Sequence, residues 1–202
     1  MEIDVDMVDE VLATARSVRR NLDFERPLPR QVLLDCIDVA VQAPTGISGE
    51  SWRFVVVEDA QPKAALATLY AQVLLDLLDQ RGMPLKPTHK ALIDRLHEIP
   101  AMIFVCVEDA PMDESTSAQI GFYGSILPAA WSLMLALRAR GIGTTWTSLL
   151  SSKQGEVREI LNLPEHVLHT VMLPTAYTLG AKLKRAARRP ASEVTYWDAW
   201  PQ

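Results

Sequence analysis

The chain has 202 residues, of which 49% are hydrophobic, and its 25 acidic and 20 basic residues leave a net charge of −5. These values indicate a single globular domain over 1–202 with a sizeable core. They exclude the broad basic face that nucleic-acid binding by phosphate neutralisation requires, so we expect no nucleic-acid partner.

Hydrophobic periodicity divides the chain into alternating helices and strands. Helices are recognised by apolar residues three and four positions apart, and buried strands by short apolar or β-branched runs. In chain order, the first half gives helices at 4–14 and 29–42, a strand at 53–59, helices at 61–81 and 88–98, and a strand at 101–109.

The second half begins with a polar loop at 109–118, and the most apolar helix of the chain follows at 125–140. Because that helix is apolar nearly all round, it must be buried on several sides, either at the centre of the domain or in a subunit interface. Further strands are expected at 144–150 and 168–178, with a helix at 152–161 between them. This irregular alternation favours a mixed α+β layer over a regular parallel sheet.

Composition also predicts the cellular environment. Cys36 and Cys106 lie in apolar stretches without a C-x-x-C motif, which predicts buried free thiols in a reducing compartment. The acidic N-terminus lacks the pattern of a secretory signal. The longest nearly uncharged apolar stretch, 126–137, is shorter than the about twenty residues that span a bilayer. We therefore expect a cytoplasmic protein with no membrane partner.

Three stretches look like known motifs but fail on their context. G-I-G-T-T-W at 141–146 follows a helix and lacks the third glycine of a dinucleotide fingerprint. G-I-S-G-E-S at 46–51 has neither the spacing nor the preceding strand of a nucleophile elbow. His166 and His169 are accompanied by no set of carboxylates or cysteines, so we expect no metal site.

The most specific local feature is the cluster of Arg16, Arg19 and Arg20 around Ser17. The rigid fork of arginine suits bidentate phosphate contact, and a serine hydroxyl adds a donor. The segment R-S-V-R at 16–19 is thus a candidate cradle for a small anion, and a solvated helix face is the alternative.

Four motifs in the same order give the sequence a resemblance to the FMN-dependent nitroreductase family, in particular to members of actinobacterial type. These motifs are R-S-x-R at 16–19, A-P-T-G followed by a tryptophan at 43–52, G-I-G-T at 141–144 after a long core helix, and a basic residue before a proline in a tryptophan-bearing tail. The resemblance implies a nitroreductase-like α+β fold with a central mixed sheet flanked by helices. It also implies a homodimer with interlocked C-terminal arms and FMN between the subunits.

The resemblance further implies a set of FMN-binding residues. The phosphate would be clamped by Arg16, Ser17, Arg19 and Arg188, with Arg189 as the alternative to Arg188. The flavin would be lined by Pro44, Thr45, Gly46 and Ser48 of the partner chain and by Glu50, while the backbone of Trp146, Thr147 and Ser148 would face its N5 edge.

The chemistry implied by the resemblance belongs to the cofactor, so no catalytic side chain is expected. NAD(P)H would reduce FMN, and a small electron-poor acceptor, either a nitroaromatic, a quinone or an enone, would then take its place in a ping-pong scheme. Ser48, Glu50 and Ser51 stand where the family has Asn, Gln and Pro. Glu50 is expected to face the flavin, to turn to solvent or to pair with Arg53. The rival interpretations are a flavin-binding storage or sensor protein without turnover, and a structural or regulatory dimer.

Overall fold

Seven α-helices and five strands make up the regular structure in the computed structural model, which describes residues 2–46, 49–180 and 182–200. The helices are α1 (Val5–Thr14), α2 (Arg30–Ala40), α3 (Ala60–Gln80), α4 (Pro87–Ile93), α5 (Thr116–Gly124), α6 (Leu127–Ala139) and α7 (Gln154–Leu161). The strands are β1 (Leu22–Asp23), β2 (Trp52–Val57), β3 (Ala101–Glu108), β4 (Ile142–Thr144) and β5 (Val167–Thr178). Short 3₁₀ turns lie at Leu96–Glu98, Leu149–Ser152 and Ala191–Glu193.

The five strands form one sheet in the order β1-β5-β3-β2, and β4 also pairs with β5. Tyr177 of β5 has a partner on each side, Asp23 in β1 and Ile142 in β4. Every ladder in the described residues is antiparallel, and the parallel component is a single bridge between Ser17 and Thr144. The expected mixed sheet is therefore an antiparallel one, because helices 60–93 and 116–139 return the chain to strands of opposite direction.

Helices cover both faces of the sheet, so β3 is buried on both sides. Residues 101–107 are all 0% exposed. Ile103 and Val105 pack in the cluster that contains α2 and α6, whereas Met102 and Phe104 pack in the cluster that contains α3. A strand between two helical layers needs no polar positions, which explains its unbroken apolar run.

The α6 helix lies in the core, as its composition predicts. Leu133 and Leu137 are fully buried, and α6 packs against α2 and β4. Together with α5 it forms a segment, 116–139, that is long and apolar enough to cross a membrane by length and composition alone. Half of the apolar window in that segment is buried inside the domain, and a core helix passes the same test.

Most of the expected elements are present, and the differences have local causes. The expected loop at 109–118 ends early because α5 begins at Thr116, where the Ser115 side chain accepts a hydrogen bond from the backbone of Ala118. The strand expected at 144–150 stops at Thr144 and gives way to an irregular segment and a 3₁₀ turn. The helix expected at 88–98 divides into α4 and the turn at 96–98.

Candidate functional site

The R-S-V-R segment lies beside the segment that follows β4. The backbone N–H of Val18 donates to the Thr144 carbonyl at 2.8 Å, and the buried Thr145 hydroxyl donates to the Val18 carbonyl at 2.7 Å. The backbone N–H of Trp146 donates to Ser17 Oγ at 3.1 Å. The structure thus brings together two segments that the sequence assigned to the phosphate clamp and to the flavin N5 edge.

Gly143 permits this close approach. A Cβ atom at Gly143 would lie 2.8 Å from the Thr178 side chain, 3.1 Å from Val18 and 3.2 Å from Leu22. These distances are too short for any larger residue without movement of its neighbours. The second glycine of G-I-G-T therefore serves packing against the clamp segment and the sheet.

Arg16 is half-buried at the C-terminal end of α1. Its guanidinium donates to the carbonyls of Ala13, at 3.0 Å, and Ala15. These carbonyls carry the negative end of the helix dipole, so they hold the cation in place. An arginine has five N–H donors, so Arg16 keeps donors for an anion.

Arg19 lines a polar cleft of about 410 Å³. Its Nε atom is shut off from solvent and has no hydrogen-bond partner among the described residues. The Nε atoms of Arg138 and Arg158 are in the same state, so the unpaired Nε is not specific to this cleft. The other residues that line the cleft are Ser17, Val18, Arg20, Asn21, Thr88, Lys182 and Leu183. This composition fits a phosphate group.

His89 follows Thr88, which lines this cleft. Its pKa is lowered, first by partial burial and then by the positive charges of Arg19 and Lys86. Burial is the larger of these causes, and the two cations add to it.

The Pro44–Gly46 turn is exposed and lies on another part of the surface. The backbone N–H of Gly46 donates to Ser125 Oγ at 2.8 Å. Gly46 lines a cleft of about 500 Å³ with 110–113 and the α5 side chains, Phe122 among them. Within the described residues, this cleft and the Arg19 cleft have no lining residue in common. Ser48 lies outside the described residues.

Glu50 is exposed, and Arg53 bonds its backbone carbonyl instead of pairing with its carboxylate. Arg53 donates to the Glu50 backbone carbonyl at 3.0 Å, while its other terminal nitrogen pairs with Glu108. The side chain of Glu50 is therefore left facing solvent in the single chain. Ser51, its neighbour, is buried.

The segment 146–148 has one backbone donor to spare. The Trp146 N–H is taken by Ser17, and the Thr147 N–H donates to the Met172 carbonyl at 3.2 Å. Among the described residues, no acceptor is recorded for the N–H of the exposed Ser148. Of the three residues expected at the N5 edge, Ser148 is thus the one whose backbone could donate to a ligand.

The C-terminal tail supplies its first residues to the Arg19 cleft. Lys182 and Leu183 line that cleft, whereas Arg188 and Arg189 are exposed and absent from its described lining. The tail also carries exposed aromatic residues, and the ring centroids of Tyr196 and Trp200 are 4.4 Å apart. Of the four expected clamp residues, Ser17 and Arg19 line this cleft, whereas Arg188 and Arg16 are not among its described lining residues, and Arg16 lines a separate pocket of about 10 Å³.

Sequence reasoning missed several side chains that hold the site together. Both Thr145 and Ser125 are buried: Thr145 bonds Val18 in the R-S-V-R segment, and Ser125 bonds Gly46. Neither could be found from the sequence, because an isolated Thr or Ser has no distinctive pattern. Lys182 carried a signal, because it belongs to the basic run before Pro190.

The comparisons with known proteins agree with the architecture. A Bacillus subtilis protein provisionally named NAD(P)H nitroreductase is 24% identical over 83% of this chain and 82% of its own length. An iodotyrosine deiodinase of Thermotoga neapolitana is 28% identical over 86% of this chain and 90% of its own.

A solved structure has the same fold. It is that of an oxidized iodotyrosine deiodinase bound to FMN and 3-iodo-L-tyrosine, with a TM-score of 0.72, 20% identity, and coverage of 96% of this chain and 100% of the other. These relatives give no support to an actinobacterial subgroup. The model of the Nitroreductase family matches residues 12–177, which include the clamp segment, the Pro44–Gly46 turn and the sheet. The chain belongs to the Nitroreductase family.

Proposed function

We propose that the protein is an FMN-dependent oxidoreductase that passes hydride from NAD(P)H to a small electron-poor acceptor such as a nitroaromatic, a quinone or an enone. The observation that carries the proposal is the cleft lined by Ser17, Arg19, Arg20 and Lys182, in which Ser17 is bonded to the Trp146 backbone. The name of the Bacillus subtilis relative supports NAD(P)H as the donor. The FMN-bound deiodinase structure supports the cofactor.

In this proposal the chain binds and orients FMN, which supplies the hydride chemistry when it is bound. Arg16, Ser17 and Arg19 hold the phosphate, and Lys182 or Arg188 adds a further cation from the tail. The Ser17–Trp146 bond fixes the distance between the phosphate end and the segment 146–148. The free N–H of Ser148 is then the donor offered to the flavin N5 edge.

A homodimer is part of the same proposal. The Arg19 cleft and the Gly46 cleft have no described lining residue in common, which supports a second copy as the source of the Pro44–Gly46 turn at the clamp. Exposed tryptophans provide apolar surface for the contact, with Trp131, Trp197 and Trp200 at 40%, 84% and 76% exposure. Sedimentation at low micromolar concentration that showed a monomer with bound FMN would contradict this part.

The test separates binding from turnover. Purified protein loaded with FMN is mixed anaerobically with NADH and, separately, with NADPH, and flavin absorbance is followed. Bleaching by either nucleotide, then recovery when a quinone or nitroaromatic is added, supports the oxidoreductase. Bound FMN that does not bleach indicates the storage or sensor alternative. That alternative is suggested by Glu50, a carboxylate at the position where the family has Gln. Protein that takes up no FMN indicates a structural or regulatory dimer.

The deiodinase relatives make 3-iodo-L-tyrosine a second acceptor to include in this test. Reoxidation of the reduced flavin by 3-iodo-L-tyrosine, with release of iodide, would identify the chain as a reductive dehalogenase. Reoxidation by the quinone or the nitroaromatic but not by 3-iodo-L-tyrosine would support the proposed class of acceptors.

We place this activity in the cytoplasm. Cys36 and Cys106 are free and buried, which suits a reducing compartment, although burial alone also protects a thiol. The cytoplasm is also where NAD(P)H is available to such an enzyme. Fractionation of cells that express the protein, followed by immunodetection, tests the location.

A further inference from the structure

A relay of two hydrogen bonds joins the Pro44–Gly46 turn to helix α5. The backbone N–H of Gly46 donates to Ser125 Oγ at 2.8 Å, and the Ser125 hydroxyl donates to the Gly121 carbonyl at 2.9 Å. Ser125 is 3% exposed and lies at the break between α5 and α6. The hydroxyl therefore uses its proton within α5 and presents a lone pair to the turn.

The contact is also sterically close. A Cβ atom at Gly46 would lie 2.7 Å from Ser125 Oγ, a distance that real Cβ contacts essentially never show, whereas the next atom, the Gly121 carbonyl oxygen, would lie at 3.7 Å. Gly46 is not one of the glycines whose backbone φ is positive. A side chain at position 46 would thus require Ser125 to move, whereas the backbone conformation by itself does not demand glycine.

We infer that Ser125 is a positioning residue, whose hydroxyl holds the Pro44–Gly46 turn in place for contact with the flavin. The inference rests on the proposed FMN site. At the other end of the loop Arg53 bonds the Glu50 carbonyl and pairs with Glu108, and the two ends meet where the Gly49 N–H donates to the Gly46 carbonyl at 3.2 Å. The hydrogen bond from Gly46 to Ser125 therefore anchors the first part of the loop to the buried junction between α5 and α6.

The first test is Ser125→Ala, with Thr116→Ala as the matched control because Thr116 is exposed on the same helix and is not among the residues that line the Gly46 cleft. In Ser125→Ala the Gly46 N–H loses its acceptor, and we expect FMN to bind about tenfold more weakly. The absorption spectrum of the bound flavin should also shift, because its edge is contacted by a displaced turn. Thr116→Ala should match the wild type in both measurements.

A double-mutant cycle distinguishes positioning from general stability. In wild-type background Gly46→Ala forces Cβ against Ser125 Oγ, and we expect it to weaken FMN binding by about tenfold or more. In Ser125→Ala background the obstructing oxygen is absent, so the same change should weaken binding by less than about threefold. Thermal unfolding of each apo-protein shows how much of the effect is loss of stability.

Two results would overturn the inference while leaving the proposed function intact. In one, wild type and Ser125→Ala bind FMN with equal affinity and identical spectra. In the other, the two substitutions weaken binding additively, so that Ser125 acts through something other than Gly46. Wild-type protein that binds no FMN would instead refute the proposed function itself.

Discussion

Ser17 accepts a hydrogen bond from the backbone N–H of Trp146 at 3.1 Å, and the two residues are 129 positions apart in the sequence. The bond joins the end of the segment after α1 to the segment after β4, and the parallel bridge between Ser17 and Thr144 supports it. Because this one contact links both ends of the proposed flavin site, it is the most direct place to test the site.

Ser17→Ala should loosen that link. The substitution leaves the Trp146 N–H without an acceptor in a half-buried position, at a cost of about 1–3 kcal/mol. We expect FMN affinity to fall by at least about fivefold, measured by quenching of flavin fluorescence on titration with apo-protein. Ser152→Ala is the control, since its exposed hydroxyl bonds only the Leu149 carbonyl in the neighbouring turn. Equal losses in both variants would refute a specific role for Ser17.

Replacement of Arg16 and Arg19 by alanine should remove most of the phosphate clamp. Each charge-assisted contact contributes about 1.5–3 kcal/mol, and contacts that share one phosphate are less than additive, so the double variant should lose about 3–5 kcal/mol of FMN binding energy. Gel filtration should then separate the flavin from the protein. Arg30→Ala is the control, because the Arg30 side chain is 84% exposed and pairs with Glu58 away from the cleft. Undiminished FMN retention would restore the solvated-face interpretation.

Glu50→Gln tests whether the carboxylate acts on the flavin in the assembled protein. A negative charge near the flavin opposes its reduction, although exposure to water screens the effect, so we expect the midpoint potential to rise by about a few tens of millivolts. Spectroelectrochemical titration of wild type and variant measures the change. Equal potentials would mean that Glu50 remains turned to solvent, as it is in the single chain.

Ser51→Ala should leave the protein as stable as the wild type or make it more stable. Ser51 is 8% exposed, and its hydroxyl has no hydrogen-bond partner among the residues that the structure describes. An unmatched buried hydroxyl carries a desolvation penalty of about 1–3 kcal/mol, which alanine removes while the backbone bond from Glu108 stays. Urea unfolding measures the difference. A clear loss of stability would show that the hydroxyl bonds a group supplied by a ligand or a partner chain.

His169 should make folding stability fall in mild acid. Its pKa is lowered from 6.5, chiefly by burial and further by Arg158, while the Leu150 carbonyl, 2.8 Å from Nε2, acts against this. Because the unfolded chain binds the proton more readily, stability is fully present above about pH 6.5 and declines as the pH falls toward the lower folded pKa.

To test this, the free energy of unfolding in urea is measured at about pH 7.5 and about pH 5.5. A single titrating group can change that free energy by no more than about 1.4 kcal/mol per pH unit. We expect His169→Gln to be less stable overall, since it loses the edge contact with Phe104, but to show a smaller difference between the two pH values. His89, whose pKa is also lowered, remains in both proteins and so cancels in the comparison. An unchanged pH difference would contradict the assignment.

The sequence by itself determined the long elements and the family motifs. The amphipathic spacing of 61–81 and the unbroken apolar run of 101–107 depend on neighbours in the chain, and both became the elements expected, α3 and β3. R-S-V-R and G-I-G-T are equally local, and they located the two segments that the structure places together.

Only the tertiary structure decided which distant residues meet. β1 has two residues and exists because Leu22 and Asp23 pair with the end of β5, so no local pattern could announce it. The segment after Thr144 still bonds β5, from Thr145 to Pro174 and between Thr147 and Met172. It is no longer a regular strand, because the Thr145 hydroxyl and the Trp146 N–H bond Val18 and Ser17. Local periodicity records which side of an element is buried, whereas long-range hydrogen bonds depend on the folded path of the whole chain.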